Sequence, residues 1–514
     1  MTAHRTPATT SDRTAEGRHD TMSTGSRNTW EAWARSVPPL TCVSTREPCP
    51  DPMATATRLA RAGLAGQYVV YEAEGGVWHF AAGSDVSVTA DPGGITACAA
   101  GRTWTSRTDG RPLAAFADAL SALRDEDDEG GQGGEVGKGE GIGAREEMAG
   151  GRHFYGWAAF ELAHLLHADP ASAGDRPLLH ALIPSVEVTL GGDSTVIRAV
   201  DEAWARKVAD LLAEPASGQP SARDEPMRDT RDMREGTEGI IATGGAAYGQ
   251  AVARTVGDIR AGLLEKAVVS RKVPLPAEPH PDFPATYLAG RRANTPARSY
   301  LLDLGGYRAA GFSPETVLEV GDDGRVSTQP LAGTRALGAD PAENERRRAE
   351  LLSDPKEIHE HAVSVRLAWD EMAAVCSPGS VVVEEYMAVR PRGSVQHLAS
   401  RVTGRLRPDT GPWDAFASLF PAITATGVSK RAALETLARH EDGPRGLYGG
   451  AVFRGSTSGA LDAALVLRTL IGAENRAWLR AGAGVTAQSS PEREIEETCE
   501  KLRSVAPYLR FSAD

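Results

Sequence analysis

Carboxylates at helical spacing occur in two separate segments of this 514-residue chain. In SPEREIEETCEKL, the Ser-Pro pair marks a helix start, and Glu494, Glu497 and Lys501 follow at i, i+3 and i+7. That spacing places the three side chains on one helix face. The segment DPKEIHEHAVSV also carries such a pair, Glu357 and Glu360. This pattern fits two interpretations. One is a pair of solvated helix faces with ordinary Glu–Lys pairing, and the other is a shared oxygen site for one hard divalent cation.

The two interpretations differ in whether the helices meet. Four carboxylates in one place repel one another unless a cation lies between them. Mg²⁺ typically takes one or two protein carboxylates and completes its shell with water and substrate. If the helices approach each other, the sequence therefore predicts a Mg²⁺ site that also serves an anionic substrate.

Other candidates have side chains suited to proton transfer or to binding an anion. Lys266 stands where a long helix meets the strand KAVVSR and is a candidate base, and Glu315 follows Ser-Pro at a strand start and is a candidate acid. In isolation, each is more typical of a solvated lysine or a turn glutamate. His397 lies in an alternating strand, where a core histidine is an equal alternative. Further polar candidates lie in small-residue segments: Thr334 in PLAGTRALG and Thr424 in FPAITATGVSK.

The elements around these residues indicate an α+β fold. Helices and strands alternate without a regular βαβ period, and hairpin signals over 66–83 and 185–200 predict antiparallel sheets. The segment 478–484 is predicted as a short strand, with a lone Arg480, followed by a Gly-rich turn.

Three polar segments interrupt the ordered pattern. Residues 1–50 are rich in Thr, Ser, Arg and Pro and are predicted to form a disordered leader. Flexible inserts are predicted at 124–151, which is acidic and Gly-rich, and at 214–238. We expect 51–240 to be the N-terminal part of a single domain whose catalytic region is 241–514.

The net charge and the spacing of the cysteines limit which binding partners and which cellular compartment we expect for this protein. A net charge of −13 argues against general affinity for nucleic acid or acidic membranes, so an anionic substrate would need a local basic pocket. The five cysteines are scattered without metal-ligand spacing, which favours a reduced compartment. No apolar run approaches the roughly 20 residues of a membrane helix, and the N-terminus lacks a secretory apolar core. We therefore expect a cytoplasmic protein.

In their order along the chain, these segments resemble the chorismate-utilising enzymes, the family of anthranilate, aminodeoxychorismate, isochorismate and salicylate synthases. The matching segments, over about 265–502, are KAVVSR, SPE, PLAGTRALG, DPKEIHEHAVSV, SVQHLASRVTGRL, FPAITATGVSK, PRGLYGGAVF, LRAGAGV and SPEREIEETCEKL. FYGWAAFELAH resembles an earlier aromatic strand of the family. The resemblance implies an α+β fold of two large antiparallel β-sheets packed together, with flanking helices and a cleft between the sheets.

The resemblance also implies roles for the candidate residues. Lys266 would be the general base that activates water, and Glu315 the general acid. Mg²⁺ would be held by Glu360 and Glu497, with Glu357 and Glu494 nearby or acting through water. The implied contacts to chorismate are Tyr448, Arg480, Gly482 and Gly484 at the enolpyruvyl carboxylate, Gly333, Thr334 and Lys501 at the ring carboxylate or its metal, and His397 and Thr424 lining the cleft.

Within the family, Lys266 is typical of members that add water rather than ammonia, so no glutaminase subunit is expected. The segments look most like those of bacterial salicylate synthases, which make salicylate and pyruvate from chorismate through isochorismate for siderophore or other salicylate-derived metabolism. The alternatives left open are an isochorismate synthase that releases its product, an aminating synthase and a catalytically inactive homologue. We expect a monomer that acts on chorismate.

Overall fold

The computed structural model describes residues 27–83, 85–124, 151–214, 230–393 and 395–512. The helices in these ranges are α1 Arg27–Ala34, α2 Pro52–Arg61, α3 Pro112–Ser121, α4 Leu162–His167, α5 Glu202–Ala213, α6 Thr230–Ala242, α7 Gly245–Arg260, α8 Phe283–Ala293, α9 Pro341–Ser353, α10 Pro355–Ala373, α11 Pro412–Leu419, α12 Ile423–Thr426, α13 Lys430–His440 and α14 Pro491–Leu502.

The strands of the same ranges are β1 Cys42–Arg46, β2 Gln67–Glu72, β3 Trp78–Gly83, β4 Ser87–Ala90, β5 Gly94–Ala99, β6 Arg102–Arg107, β7 His153–Ala158, β8 Leu179–Leu182, β9 Val186–Leu190, β10 Thr195–Ala199, β11 Lys266–Pro274, β12 Arg298–Leu304, β13 Tyr307–Ser313, β14 Thr316–Val320, β15 Arg325–Thr328, β16 Leu331–Ala336, β17 Val382–Arg392, β18 Val395–Arg405, β19 Gly427–Val428, β20 Ala451–Ser456, β21 Leu461–Leu465, β22 Thr469–Ala473 and β23 Arg476–Val485.

These strands form two large antiparallel sheets. The first sheet has the order β1-β10-β9-β3-β2-β12-β13-β22-β23-β11-β19. The second has the order β16-β18-β15-β14-β21-β20-β7-β8-β4-β5-β6, with β17 added beside β18. The two-sheet α+β architecture predicted from the sequence is therefore confirmed.

Side chains alternate between the two faces of each strand, so the protein has one core between the sheets and two cores on their outer faces. In β2, Val69 and Tyr71 belong to a buried cluster that includes Trp157 of β7 in the other sheet, whereas Val70 packs in a cluster with Leu59 of α2. Successive side chains of a strand point to opposite faces, so one strand serves both layers. Helices cover the outer faces, and the inner cluster holds the two sheets together.

The two parts of the chain share both sheets. In the first sheet, β2 pairs with β12, where Tyr71 faces Tyr300. In the second sheet, β7 pairs with β20, where Tyr155 faces Arg454. Strands from the N-terminal part thus hydrogen-bond directly to strands of the predicted catalytic region.

The prediction of a disordered leader over 1–50 is wrong from residue 27 onward. Helix α1 buries Trp30 and Trp33, and the Trp33 indole donates a hydrogen bond to the Cys98 carbonyl at 3.1 Å. The two indoles are three residues apart and so lie on one helix face, a signal hidden by the polar residues around it. Strand β1 also pairs with β10. Residues 1–26 lie outside the described residues.

Two further segments differ from the sequence-based predictions. Helix α6 begins at Thr230, so the last part of the insert predicted at 214–238 is helical, while 215–229 lie outside the described residues. Nearly all of the insert predicted at 124–151 is also outside them. The Gly-rich turn predicted after Arg480 is instead the interior of β23. Among the described helices, none is both long and apolar enough to cross a bilayer.

Candidate active site

One cavity brings the predicted site residues together. It is lined by Lys266, Glu315, Gly333, Thr334, Glu357, Glu360, His397, Thr424, Tyr448, Arg480, Gly482, Gly484, Glu494, Glu497 and Lys501. Glu315 lies where the chain passes from β13 in the first sheet to β14 in the second. The cavity therefore opens where the chain crosses from one sheet to the other.

Strand β11 directs Lys266 into this cavity. Lys266 and Val268 line the cavity, whereas the intervening Ala267 belongs to an outer core cluster, as strand alternation requires. Gly484 on the neighbouring β23 leaves room for the lysine, because a Cβ there would lie 2.7 Å from Lys266 Cε. The Lys266 ammonium donates to Glu360 Oε2 at 3.0 Å.

Two helix N-termini present the four glutamates, which we call the acidic wall: Glu357 and Glu360 of α10, and Glu494 and Glu497 of α14. Each helix begins with a capping side chain, Asp354 or Ser490, followed by proline. These caps fix the chain direction and the first turn. The positive end of the helix dipole favours the carboxylates of the first turn, which here are Glu357 and Glu494.

Protein cations balance three of these carboxylates. The contacts are Glu357–Arg335 at 2.8 Å, Glu360–Lys266 at 3.0 Å and Glu497–Lys501 at 2.9 Å. Burial alone would raise the pKa of Glu497, but Lys501 lowers it below the ordinary value. Glu497 therefore remains an anion at neutral pH.

Glu494 differs from the other three. It is only 3% exposed, and its Oε2 has no hydrogen-bond partner. Burial and the neighbouring charge of Glu497 raise its pKa. Within the described ranges, no group of three or more His, Cys, Asp or Glu side chains converges closely enough to hold a metal ion. The unpartnered oxygen and the all-carboxylate donor set nevertheless fit a hard divalent cation.

Glu315 is a carboxyl group of a different kind. It is 4% exposed, and burial raises its pKa to about 8, although the Thr424 hydroxyl, which donates to Oε1 at 2.8 Å, lowers it slightly. No ion pair to Glu315 is present among the described residues. Glu315 therefore keeps its proton at pH 7 and can donate it inside the cavity.

Arg480 is ion-paired within the protein. Its guanidinium donates to Glu441 Oε2 at 2.6 Å and to the Ser270 hydroxyl at 2.8 Å. Glu441 also accepts two hydrogen bonds from Arg445, at 2.6 and 2.8 Å. Burial would raise the pKa of Glu441, but the two guanidinium groups hold it below the ordinary value. Arg480 thus belongs to a fixed buried layer at the edge of the cavity.

Arg468 lines the same cavity and was missed by the sequence analysis. It donates to the Arg392 carbonyl at 2.7 Å and to His397 Nε2 at 2.8 Å, and no carboxylate of the described residues lies within 4.0 Å. Burial and the charge of Arg392 lower its pKa to about 10, so it remains protonated. Its φ of +50° is in the left-handed region, which is unusual for a residue other than glycine.

Arg468 also sets the hydrogen bonding of Thr334. A guanidinium only donates, so His397 Nε2 must accept, and Nδ1 carries the proton. Nδ1 lies 3.0 Å from Thr334 Oγ1 and 3.3 Å from the Gly333 carbonyl. Burial and Arg468 hold the pKa of His397 well below its ordinary value, so the ring is neutral. When the imidazole donates to Thr334, the threonine hydroxyl is free to donate to a ligand.

We call Arg468, Arg480 and the adjacent Tyr448 the basic wall. Tyr448 is buried, and a Cβ at Gly482 would lie 3.0 Å from its hydroxyl oxygen, so glycine allows this close approach. The acidic wall, the basic wall and the protonated Glu315 thus line one cavity with groups of opposite charge and a proton donor.

A family model described as chorismate binding enzyme matches residues 78–507. The chain therefore belongs to the chorismate binding enzyme family. The salicylate synthase of Mycolicibacterium paratuberculosis is 39% identical over 472 residues, which cover 89% of this chain and 94% of the relative. Anthranilate synthase component 1 of Haloferax volcanii is 39% identical over 267 residues, covering 51% of this chain and 50% of the relative.

Solved structures show the same fold at lower identity. Anthranilate synthase component I from Streptococcus pneumoniae has a TM-score of 0.62 and 22% identity, and covers 84% of this chain and 92% of its own. The menaquinone-specific isochorismate synthase from Escherichia coli also has a TM-score of 0.62, with 18% identity over 94% of this chain and 98% of its own. The family resemblance expected from the sequence is confirmed.

Proposed function

We propose that this protein is a Mg²⁺-dependent salicylate synthase that converts chorismate through isochorismate to salicylate and pyruvate. The observation that carries the proposal is that Lys266 and a protonated Glu315 line one cavity with four carboxylates. The similarity to the salicylate synthase also extends over 94% of that relative, whereas an equal identity to an anthranilate synthase covers only half of it.

In the first stage, Lys266 and Glu315 act as base and acid. The Lys266 ammonium, which donates to Glu360, first releases a proton to solvent. The neutral amine then takes a proton from a water molecule that attacks C2 of chorismate, and the ring double bonds shift. Glu315 gives its proton to the hydroxyl that leaves C4, so that water departs and isochorismate forms. A buried carboxyl with a pKa of about 8 is suited to donate at neutral pH.

In the second stage, positioning replaces acid–base chemistry. The C2 hydrogen moves to the enolpyruvyl methylene as the C3–O bond breaks, which releases pyruvate and leaves an aromatic ring. We assign the enolpyruvyl carboxylate to Arg468 and Tyr448, with Arg480 as a supporting group, because Arg480 is already ion-paired with Glu441. We assign the ring carboxylate to the Thr334 hydroxyl and Lys501, which line the same cavity.

The acidic wall would hold the metal. Glu360 and Glu497 would bind Mg²⁺, with Glu357 and Glu494 as neighbours, and the bound ion would neutralise the ring carboxylate and orient the ring. The proposal includes a cytoplasmic monomer that works without a glutaminase subunit and supplies siderophore or other salicylate-derived metabolism. Lys266, by its resemblance to the water-adding members, supports the absence of an aminating partner.

Chorismate turnover with and without Mg²⁺ tests the proposal, with isochorismate, salicylate and pyruvate resolved by chromatography. We expect salicylate and pyruvate in equal amounts. Isochorismate without pyruvate would identify the protein as an isochorismate synthase, and no turnover with Mg²⁺ would contradict the enzymatic proposal.

The variant Lys266→Ala tests whether Lys266 acts in the first stage and not in the second. We expect this variant to lose hydration of chorismate but to convert supplied isochorismate at a rate much closer to that of the wild type. Lys207→Ala on α5, outside the cavity, is the matched control. Equal loss of both reactions in Lys266→Ala would contradict the assigned roles.

A further inference from the structure

A second cavity lies behind the buried layer formed by Glu441 and Arg445. It shares no lining residue with the active-site cavity, but the two are adjacent, because Glu441 lines the second cavity and binds Arg480 of the first. Its wall combines the start of α4, the loop 172–178, the end of α13 with the loop 442–446, and the turn between β22 and β23. All of these segments lie within the residues that the structure describes.

Aromatic rings line much of the second cavity. Phe160, Tyr307 and Trp478 are all part of its wall. The guanidinium of Arg445 lies 4.3 Å from the Phe160 ring centre, and the ammonium of Lys272 lies 3.8 Å from the Trp478 ring centre. The cavity can therefore accept a flat apolar group with cations held close to it.

Among the cationic side chains of this wall, Lys272 is the one that has no acidic partner in the described residues. Arg445 is paired with Glu441, and Arg176 and Arg476 both contact Glu474, at 3.8 and 2.6 Å. No carboxylate of the described residues lies within 4.0 Å of the Lys272 ammonium. An anion bound in the cavity would supply that partner.

Two polar side chains in the wall also lack partners among the described residues. His164 is 6% exposed, packs edge-on against Phe160 and makes no side-chain hydrogen bond. The Tyr307 ring packs edge-on against Trp157 at 5.0 Å, and its hydroxyl makes no hydrogen bond. Polar groups at a cavity wall that the protein itself leaves without partners are available to hydrogen-bond a ligand.

We infer that this cavity is a second binding site, for a small aromatic monocarboxylate. Its carboxylate would lie at Lys272 and the Tyr307 hydroxyl, and its ring against Phe160 and Trp478. Lys272 and Tyr307 both line this cavity. The inference goes beyond the proposed function and does not depend on it.

The surrounding charges favour a single negative charge on the ligand. Lys272 contacts no carboxylate of the described residues, while Glu161 and Asp442, which form no ion pair among those residues, line the same wall and would repel a second carboxylate. A dicarboxylate such as chorismate is therefore disfavoured here, whereas one carboxylate on a flat ring fits.

Titration with 4-fluorobenzoate, followed by fluorine NMR, tests this inference on the full-length protein. We expect saturable binding in the wild type. Lys272→Gln should weaken it about tenfold, as expected for loss of a charge-assisted contact, and Tyr307→Phe about threefold. The control is Lys207→Gln, which removes an ammonium that also lies over a tryptophan, Trp204, but on α5 away from the cavity. It should bind as the wild type does.

A further variant distinguishes the two cavities. Arg468→Met alters the active-site cavity, and we expect its affinity for 4-fluorobenzoate to be unchanged. Absence of saturable binding at millimolar probe, or wild-type affinity in both Lys272→Gln and Tyr307→Phe, would overturn the inference. Binding that is lost in Arg468→Met would also overturn it, by placing the probe in the active-site cavity. Because the readout is binding, these results are independent of whether the enzyme makes salicylate.

Discussion

The acidic and basic walls of the active-site cavity are built on the same plan. In the acidic wall, two lysines and an arginine form ion pairs with three of the four glutamates, and in the basic wall Arg480 is ion-paired with Glu441. In each, one group is left over, Glu494 with an unpartnered oxygen and Arg468 without a carboxylate. Unbalanced buried charges cost free energy in the empty protein, so a bound cation and a bound anion would each remove such a cost.

Removal of the metal should have the largest effect, because it affects the whole acidic wall. We expect a chelator to reduce turnover about 1,000-fold or more and added Mg²⁺ to restore it, since in the proposed function the cation would neutralise charge at the reacting ring. Glu494→Gln should raise the Mg²⁺ concentration needed for half-maximal turnover. Glu496→Gln, on the same helix but outside the cavity lining, should leave that concentration unchanged. Full activity in the chelator would contradict the role given to the acidic wall.

Glu315 belongs to neither wall, because its carboxyl is neutral at pH 7. Glu315→Gln should lower turnover of chorismate about 1,000-fold, a typical loss for a general acid. The wild type should lose activity as the pH rises through about 8, where Glu315 releases its proton. A pH–rate profile without this alkaline limb would exclude Glu315 as the essential acid.

The raised pKa of Glu315 also predicts that the free energy of unfolding changes with pH. Between the ordinary glutamate pKa and about 8, folded Glu315 holds a proton that the unfolded chain has released. The free energy of unfolding should therefore fall as the pH rises through this window and level off above it. Denaturant unfolding of the wild type and Glu315→Gln at pH 5, 7 and 9 measures the difference, and we expect the variant to lack this part of the slope.

The two arginines should respond differently to the same substitution. Arg468→Met should raise KM for chorismate about 100-fold, because it removes the unbalanced cation, with little change in Tm. Arg480→Met should instead destabilise the protein by about 3 kcal/mol, because it takes a partner from the buried Glu441. If Arg468→Met and Arg480→Met changed KM and Tm in the same way, the two arginines would not have the different roles assigned to them.

The smallest effect is expected from Thr424→Val. The Thr424 hydroxyl donates to Glu315 and favours its ionised form, so its loss should raise the pKa of Glu315 further. The alkaline limb of the pH–rate profile should move to higher pH, with a change in turnover at pH 7 of only a few fold. Movement to lower pH would contradict the assigned hydrogen bond.

Local spacing in the sequence was enough to predict the two carboxylate pairs of the acidic wall, each on one helix face. Glu357 and Glu360, like Glu494 and Glu497, are three residues apart behind a helix start, and this signal survives without knowledge of the fold. The meeting of the two helices, and the placement of Lys266 and Glu315 beside them, required the order of the family segments. The roles of these residues remain predictions.

Arg468 and Glu441 could not be found in the same way. The run LDAALVLRTLI reads as one apolar strand, but the structure divides it into β21 and β22, and Arg468 lies at the crossing between the sheets. The available signal is a single charged residue within an apolar run. Glu441, in HEDGP, reads as a turn residue, and only the fold places it beside Arg480.

The shared strands have a consequence for synthesis of the chain. Strands β2 and β7 gain their partners β12 and β20 only after 200 or more further residues have been made, since Tyr71 pairs with Tyr300 and Tyr155 with Arg454. Contacts so distant in sequence slow folding and leave unpaired edges exposed in the meantime. We therefore expect the nascent N-terminal half to depend on chaperones, and expression of residues 1–240 alone to give aggregates.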